Sequence, residues 1–155
     1  MAKFKITIDM KQLEKKIEAT KEQIKQGTEI GLQTVAKEIK IHEQRLIEQR
    51  TGHGVYQPIG YLKHSVWIMP LEWSPYGASI SVTNVAKYAT YTEFGTGKWA
   101  SNGQGRLGGW FYPIGDGTYR FTEGIPPKFF VRDTYEFYKD KAPAIIEEQI
   151  YKCMK

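Results

Sequence analysis

Gly103-Gln104-Gly105-Arg106-Leu107-Gly108 spells the glycine pattern that cradles a dinucleotide pyrophosphate. That pattern binds phosphate only where a strand runs into a helix whose N-terminus faces the ligand. Gly109-Trp110-Phe111-Tyr112-Pro113 follows instead, which is not a helix start, so no cofactor is expected. Gly95-Thr96-Gly97-Lys98 places a lysine after glycine, yet a phosphate loop needs Ser or Thr next and a further glycine upstream. Trp99 occupies that place. His42, His53 and His64 lie eleven apart, far from ligand spacing, and Cys153 is remote from all three, so no metal site is expected. Nothing local activates Cys153 as a nucleophile. Glu93 is the one carboxylate in an unusual setting, between aromatic residues at the end of an element. Alone it forms no acid and base pair. It is expected to accept bonds from backbone N–H groups of the turn at 95–97. These residues together give no catalytic constellation, no enzyme and no small-molecule substrate.

The elements that must hold these residues can be read from periodicity. Phe4, Ile6 and Ile8 alternate with polar neighbours, the period of a half-buried strand, with Asp9 as a candidate cap for the next element. From residue 11 to about 49 the apolar positions Leu13, Ile17, Ile24, Leu32, Val35, Ile39 and Leu46 recur every helical turn or two, predicting one long amphipathic helix. Gly27 and Gly31 inside it each cost about 1 kcal/mol relative to alanine. Either another element approaches closely there, or the helix kinks or divides.

Thr51-Gly52-His53-Gly54 stops the helix, and an irregular loop runs to Gly60. Residues 62–69 and 78–83 are β-compatible and flank the turn chemistry of Trp73-Ser74-Pro75-Tyr76-Gly77, predicting an antiparallel pair. Residues 88–94 suit a strand or a single helical turn. A glycine-rich stretch at 95–109 leads into a hairpin formed by 110–113 and 118–121 around Gly115-Asp116-Gly117. After Pro126-Pro127, an apolar and aromatic helix over about 129–138 is expected to pack on the sheet. Pro143 fits the first turn of a final helix, or a kink in a longer one. The fold class is α+β in a single domain over 1–155: a long N-terminal helix, a small antiparallel sheet with an extended loop or hairpin arm at 95–123, and a C-terminal helix.

Composition narrows the function classes. A chain of 155 residues with 41% hydrophobic and 25% charged residues has the make-up of one folded domain. Its single cysteine excludes an internal disulfide. The absence of a long apolar run argues against a membrane span or a secretory signal, so the protein is expected to work where it is made or in something assembled there. A net charge of +5 is dispersed along the sequence rather than clustered. Four tryptophans and ten tyrosines exceed what one small core absorbs, and a glycine-rich loop carrying Trp99 and Trp110 should leave aromatic surface for a partner.

The segment Tyr88-Ala89-Thr90-Tyr91-Thr92-Glu93-Phe94-Gly95-Thr96-Gly97 resembles the signature of tailed-bacteriophage minor structural proteins described as head-tail joining, neck or tail-completion proteins. Gly124-Ile125-Pro126-Pro127-Lys128-Phe129-Phe130-Val131 resembles that family's later proline-rich turn into a terminal helix, with Lys128 where arginine is common. Residues 59–66 are similar to its upstream stretch, with Ile59 in place of the usual threonine. The resemblance implies a homomeric ring around the DNA channel that closes the head or joins it to the tail. It further implies assembly in the host cytoplasm, location in the virion neck, contact with connector, adaptor, tail-tube or tail-terminator proteins, and passing contact with packaged DNA. Its motif positions imply scaffold or subunit-contact roles for Tyr88, Glu93, Phe94, Gly95, Thr96, Gly97, Pro127 and Phe129, beside Trp99 and Trp110 of the aromatic loop. The alternative is a small nucleic-acid-binding module using dispersed Lys and Arg with stacking aromatics, which salt-dependent retention on DNA or RNA would reveal.

Overall fold

The computed structural model of the chain describes residues 10–51, 60–115 and 117–155. The strand expected at Phe4, Ile6 and Ile8, its cap Asp9, the loop at 52–59 with His53, and Asp116 of the hairpin turn lie outside the described residues.

The fold is α+β, built on one helix. α1 (Met10–Thr51) runs unbroken for 42 residues, about 63 Å. Gly27 and Gly31 do not interrupt it; of the two readings of these glycines, close approach is the one realised. The C-terminal helix α5 (Ala142–Cys153) lies antiparallel across them. A Cβ on Gly27 would stand 2.5 Å from the Ile150 Cα, and one on Gly31 2.8 Å from the Ile146 Cα. These are backbone atoms, so the glycines set how closely the two helices pack.

A short helix α2 (Gly60–His64) precedes the first strand, where an irregular loop and then a strand from Leu62 were expected. Leu62 is buried in the core, and the Ser65 hydroxyl donates to the Tyr61 carbonyl at 2.6 Å, closing the turn that α2 ends on. The predicted antiparallel pair forms as one interrupted hairpin: β1 (Val66–Ile68) pairs with β4 (Val82–Asn84), and β2 (Glu72–Ser74) with β3 (Gly77–Ser79). Register changes by one residue between the two ladders, Ile68 opposing Val82 but Glu72 opposing Ser79. Residues 69–71 therefore face only 80–81, a bulge that divides the strand expected at 78–83, and β2 includes Trp73 and Ser74, which were expected in the turn. The hairpin tip leans on α1, with the Trp73 indole N–H donating to Glu29 at 2.9 Å.

Residues 88–94 resolve as a helical turn, α3 (Ala89–Phe94), followed by a 3-10 turn (Gly97–Trp99). β5 (Trp110–Pro113) and β6 (Tyr119–Thr122) form the second predicted hairpin. α4 (Phe130–Tyr138) packs chiefly along α1 rather than on a sheet. Its separation from α5 by residues 139–141 resolves the place of Pro143, in the first turn of a distinct last helix.

The core gathers Ile47 of α1, Leu62, Val66, Ala86, Ala89 and Phe130, with Leu46, Val82 and Tyr88 packed around them. It lies toward the C-terminal end of α1, where α2, β1, β4, α3 and α4 meet it. His42 is half-buried. Its ring stacks on Phe137 at 4.6 Å and 14°. The Thr134 hydroxyl spends its proton on the Phe130 carbonyl, so His42 Nδ1, 3.2 Å from that hydroxyl oxygen, is the donor. Burial, then the positive charges of Arg45, Lys141 and Arg50, hold the His42 pKa below its ordinary value.

Candidate functional site

The motif residues at 93–97 lie alongside 123–131 and form the base of the hairpin arm. Backbone-to-backbone bonds outside any regular strand join them, with side-chain bonds beside these. The Thr96 N–H donates to the Ile125 carbonyl at 2.9 Å and the Lys98 N–H to that of Glu123 at 3.0 Å. In return, the Ile125 N–H donates to the Thr96 hydroxyl at 3.1 Å. Further along, Lys128 N–H bonds the Thr92 carbonyl at 3.0 Å and Phe129 N–H that of Glu93 at 3.2 Å.

This proximity explains the glycines. Gly95 has φ 75°, and a Cβ there would stand 2.8 Å from the Pro127 nitrogen. Gly97, at φ 61°, would drive a Cβ into the Glu123 carbonyl, and Gly124, at φ 107°, into that of Thr96. Left-handed backbone and absent side-chain volume are required together. Gly105 meets Gly97 in the same way, so a glycine of the dinucleotide-like pattern serves loop packing.

Glu93 is buried and accepts two backbone N–H bonds, but not from the 95–97 turn as expected. Its two oxygens take the Val131 and Arg132 N–H groups at 2.9 Å each. These are the second and third residues of α4, whose own cap position, Phe129, provides no side-chain bond. The carboxylate thus does an N-cap's work from 38 residues away and sits favourably at the positive end of the helix. Phe129 adopts φ 46°, the one non-glycine in the left-handed region among the described residues. It is held there from both sides. Arg50 of α1 donates to the Lys128 and Phe129 carbonyls at 2.7 and 3.1 Å, and the Arg132 guanidinium stacks 3.6 Å above its ring. Arg50 also pairs with Asp133 at 2.7 Å. Desolvation opposes ionisation of Asp133, yet the bonds from Arg50 and Arg132 carry its pKa below the ordinary carboxylate value.

Behind Glu93 stands a second buried carboxylate that sequence reading missed. Glu43 of α1 is 3% exposed and its Oε1 has no partner among the described residues. Burial, reinforced by the Glu93 charge, pushes its pKa from 4.5 up to about 7. Helical spacing puts Glu43 on the same side as Ile39 and Ile47, and that is the only sequence signal that marked it. The raised pKa means that the folded protein holds a proton the unfolded chain gives up. Stability should therefore fall as pH rises from about 4.5 to about 7 and level off above, a loss on the order of 2 to 3 kcal/mol. Glu43→Gln cannot ionise and should be more stable than the parent at pH 8 but close to it at pH 4.5. Urea unfolding at both pH values measures this, and an equal difference at both would contradict it.

Beyond its base, the arm presents one apolar face. Cross-strand pairing sets Phe111 opposite Phe121 and Pro113 opposite Tyr119, with the two phenylalanine rings edge to face at 5.2 Å. Phe111 and Tyr119 are each 68% exposed and Phe121 49%, while Trp110 on the other face is half-buried. Trp99 is exposed beside the base, with Lys98 above its ring and paired to Glu123. Between α3 and the loop lies an open groove of about 540 Å³, walled by Thr90, Tyr91 and Phe94 on one side and Ala100, Ser101 and Gln104 on the other. Tyr91 is its one ionisable side chain, so the groove offers hydroxyl, amide and ring contacts rather than acid–base chemistry.

The structure brings together Glu93, Phe94, Gly95, Thr96, Gly97, Pro127 and Phe129. Trp99 sits at their edge and Trp110 one strand away. Tyr88 belongs to the core instead, its ring 6.0 Å from that of Tyr61. Among the described residues no group of His, Cys, Asp and Glu is arranged to hold a metal, and no helix is long and apolar enough to cross a membrane. No family model, curated protein or solved structure matches this chain.

Proposed function

We propose that this chain is a structural virion protein of the tailed-phage neck, forming a homomeric ring that closes the head or joins it to the tail. The observation that carries the reading is the arm: an exposed aromatic face on a hairpin whose base is locked by Glu93, Gly95, Gly97 and Gly124. A lone two-stranded hairpin is marginal in water, and an apolar face of this kind is stabilised by a partner that covers it. A ring contact is heterologous, each subunit giving one surface and receiving another. The arm is the surface given, and the groove between α3 and the loop has the rings and polar groups of a surface that receives. Resemblance of residues 88–97 and 124–131 to neck proteins supports the same reading, as those are the segments that interlock at the arm's base. The ring would meet connector, adaptor, tail-tube or tail-terminator proteins above and below.

An early stop codon in this reading frame, followed by electron microscopy of the particles produced, tests the proposal. Separate heads and tails, joined again when the chain is supplied in trans, are expected. Normal virions in normal numbers would overturn it.

A further inference from the structure

Glu43 and Glu93 bring two carboxylates into one core from elements far apart in sequence. Ile47, one turn after Glu43 on α1, and Ala89, one turn before Glu93 on α3, gather in a single buried cluster with Phe130, the residue just ahead of the two amides that Glu93 caps. Both carboxylates are withdrawn from water, at 3% and 4% exposure. They are not equivalent. Glu93 places each oxygen on a backbone N–H, whereas Glu43 Oε1 accepts from nothing among the described residues. A buried carboxylate without a donor is held neutral, and ionising it beside a second buried carboxylate adds repulsion to the cost of desolvation.

The other charges around this core are already paired. On α4, Asp133 bonds Arg132 at 2.9 Å and Arg50 at 2.7 Å, and Glu136 bonds Lys139 at 2.6 Å. On α2, Lys63 bonds Glu48 at 2.9 Å and His64 is exposed. β1 and β4 carry no ionisable side chain. Glu93 is the charge that acts on Glu43. His42, its neighbour on α1, works in the opposite sense, since a depressed imidazole pKa favours the folded state as pH rises.

We infer that the proton on Glu43 is a latch on the base of the arm: while it is present, 92–98 and 123–132 stay joined, and its loss parts them in a local opening that carries Glu93 into water. α1 is the fixed side, an unbroken helix of 42 residues. Glu93 stands in the last turn of a six-residue helix, and isolated backbone bonds rather than a ladder join its segment to 123–132. Moving Glu93 out frees the Val131 and Arg132 N–H groups and draws the Thr92 and Glu93 carbonyls away from Lys128 and Phe129. It also lets Phe129 leave its left-handed backbone. The same movement admits water to Glu43, whose pKa returns from about 7 toward its ordinary 4.5. The open fraction therefore rises between those two pH values and is level above them. An arm freed for docking as the pH nears neutrality is a use that rests on the neck reading; the opening itself does not.

Hydrogen exchange of the isolated full chain at about pH 5 and about pH 7.5, read as protection over the intrinsic rate, tests this. The Thr96, Lys98, Val131 and Arg132 amides should lose protection about fiftyfold between the two. Their exchange should be nearly insensitive to dilute urea, the mark of a local opening, while amides at the centre of α1 show the urea dependence of the whole fold. Glu43→Gln should abolish the loss. Glu43→Met, also neutral and of similar length, should do the same and covers a glutamine variant that folds poorly. Protection at the base that does not fall with pH, a fall that survives in either folded variant, or base amides with the urea dependence of central α1 would each overturn the inference. Exchange is read without phage, so a failed latch and a failed joining assay are told apart.

Discussion

Glu93→Ala is expected to lose about 3 kcal/mol of stability, the larger share of it at the start of α4. Each carboxylate oxygen takes one backbone N–H, from Val131 and from Arg132, and both bonds are charge-assisted. Alanine leaves two donors at a helix N-terminus without a partner, and Phe129 at the cap position has no side-chain acceptor to replace the carboxylate. Glu93→Gln should be nearly as costly. Its amide oxygen can accept one bond, but its NH₂ then points at an N–H and repels it. The change also removes the charge that raises the Glu43 pKa, which offsets a small part of the loss. Urea unfolding gives the magnitude, and hydrogen exchange gives the location: Val131 and Arg132 amides should exchange faster than those of central α1. Wild-type protection at these two amides would show that the carboxylate is not their partner.

Gly27→Ala is the second large effect, and its sign is the informative part. In the middle of an exposed helix this change stabilises by about 1 kcal/mol. At Gly27 the new methyl would lie 2.5 Å from the Ile150 Cα, 3.0 Å from its nitrogen and 3.1 Å from the Gln149 carbonyl oxygen. Carbon atoms in contact prefer about 3.5 to 4 Å, and the obstacle is backbone, so α5 must move by about an ångström. We expect a net loss of about 2 to 3 kcal/mol despite the gain in propensity. Gly31→Ala should behave similarly, since its methyl would meet the Ile146 Cα at 2.8 Å. A thermal melt shifted upward by either change would contradict the packing of α5 on this face.

Much of the fold is written in local pattern. The apolar period of α1 locates a 42-residue helix to within a residue or two, and turn chemistry at Pro75-Tyr76 and around Gly115 and Gly117 locates both hairpins. What escaped is what depends on distant contacts. The bulge at 69–71 had one sign, Pro70, which has no N–H for a ladder and marks bulges or strand ends, but it cannot tell a register shift from the end of a strand. α2 is only five residues long, too short for periodicity to register. Gly27 and Gly31 were visible as a cost, but only the path of α5 tells a close approach from a kink.

The site was legible in the same uneven way. Residues 93–97 and 127–129 stood out by type, and the sequence placed Glu93 against backbone N–H groups. It chose the nearest glycine turn, since the true partners lie 38 and 39 residues further on and α4's missing cap cannot be seen without its left-handed Phe129. Glu43 looked like one more charge on an amphipathic helix. Its burial depends on elements distant in sequence, and its helical spacing with Ile39 and Ile47 was the one sign of it.

The most direct test of the arm as a contact surface uses Phe111→Ser/Phe121→Ser supplied in trans to particles made without the chain. Both side chains lie outside the core and their cross-strand pair contributes only roughly 0.2 to 1 kcal/mol, so the variant should keep the parent's global fold and a melt within a few degrees of it. It should nevertheless leave heads and tails separate. Joined virions in wild-type numbers from this variant would contradict the assignment of the arm.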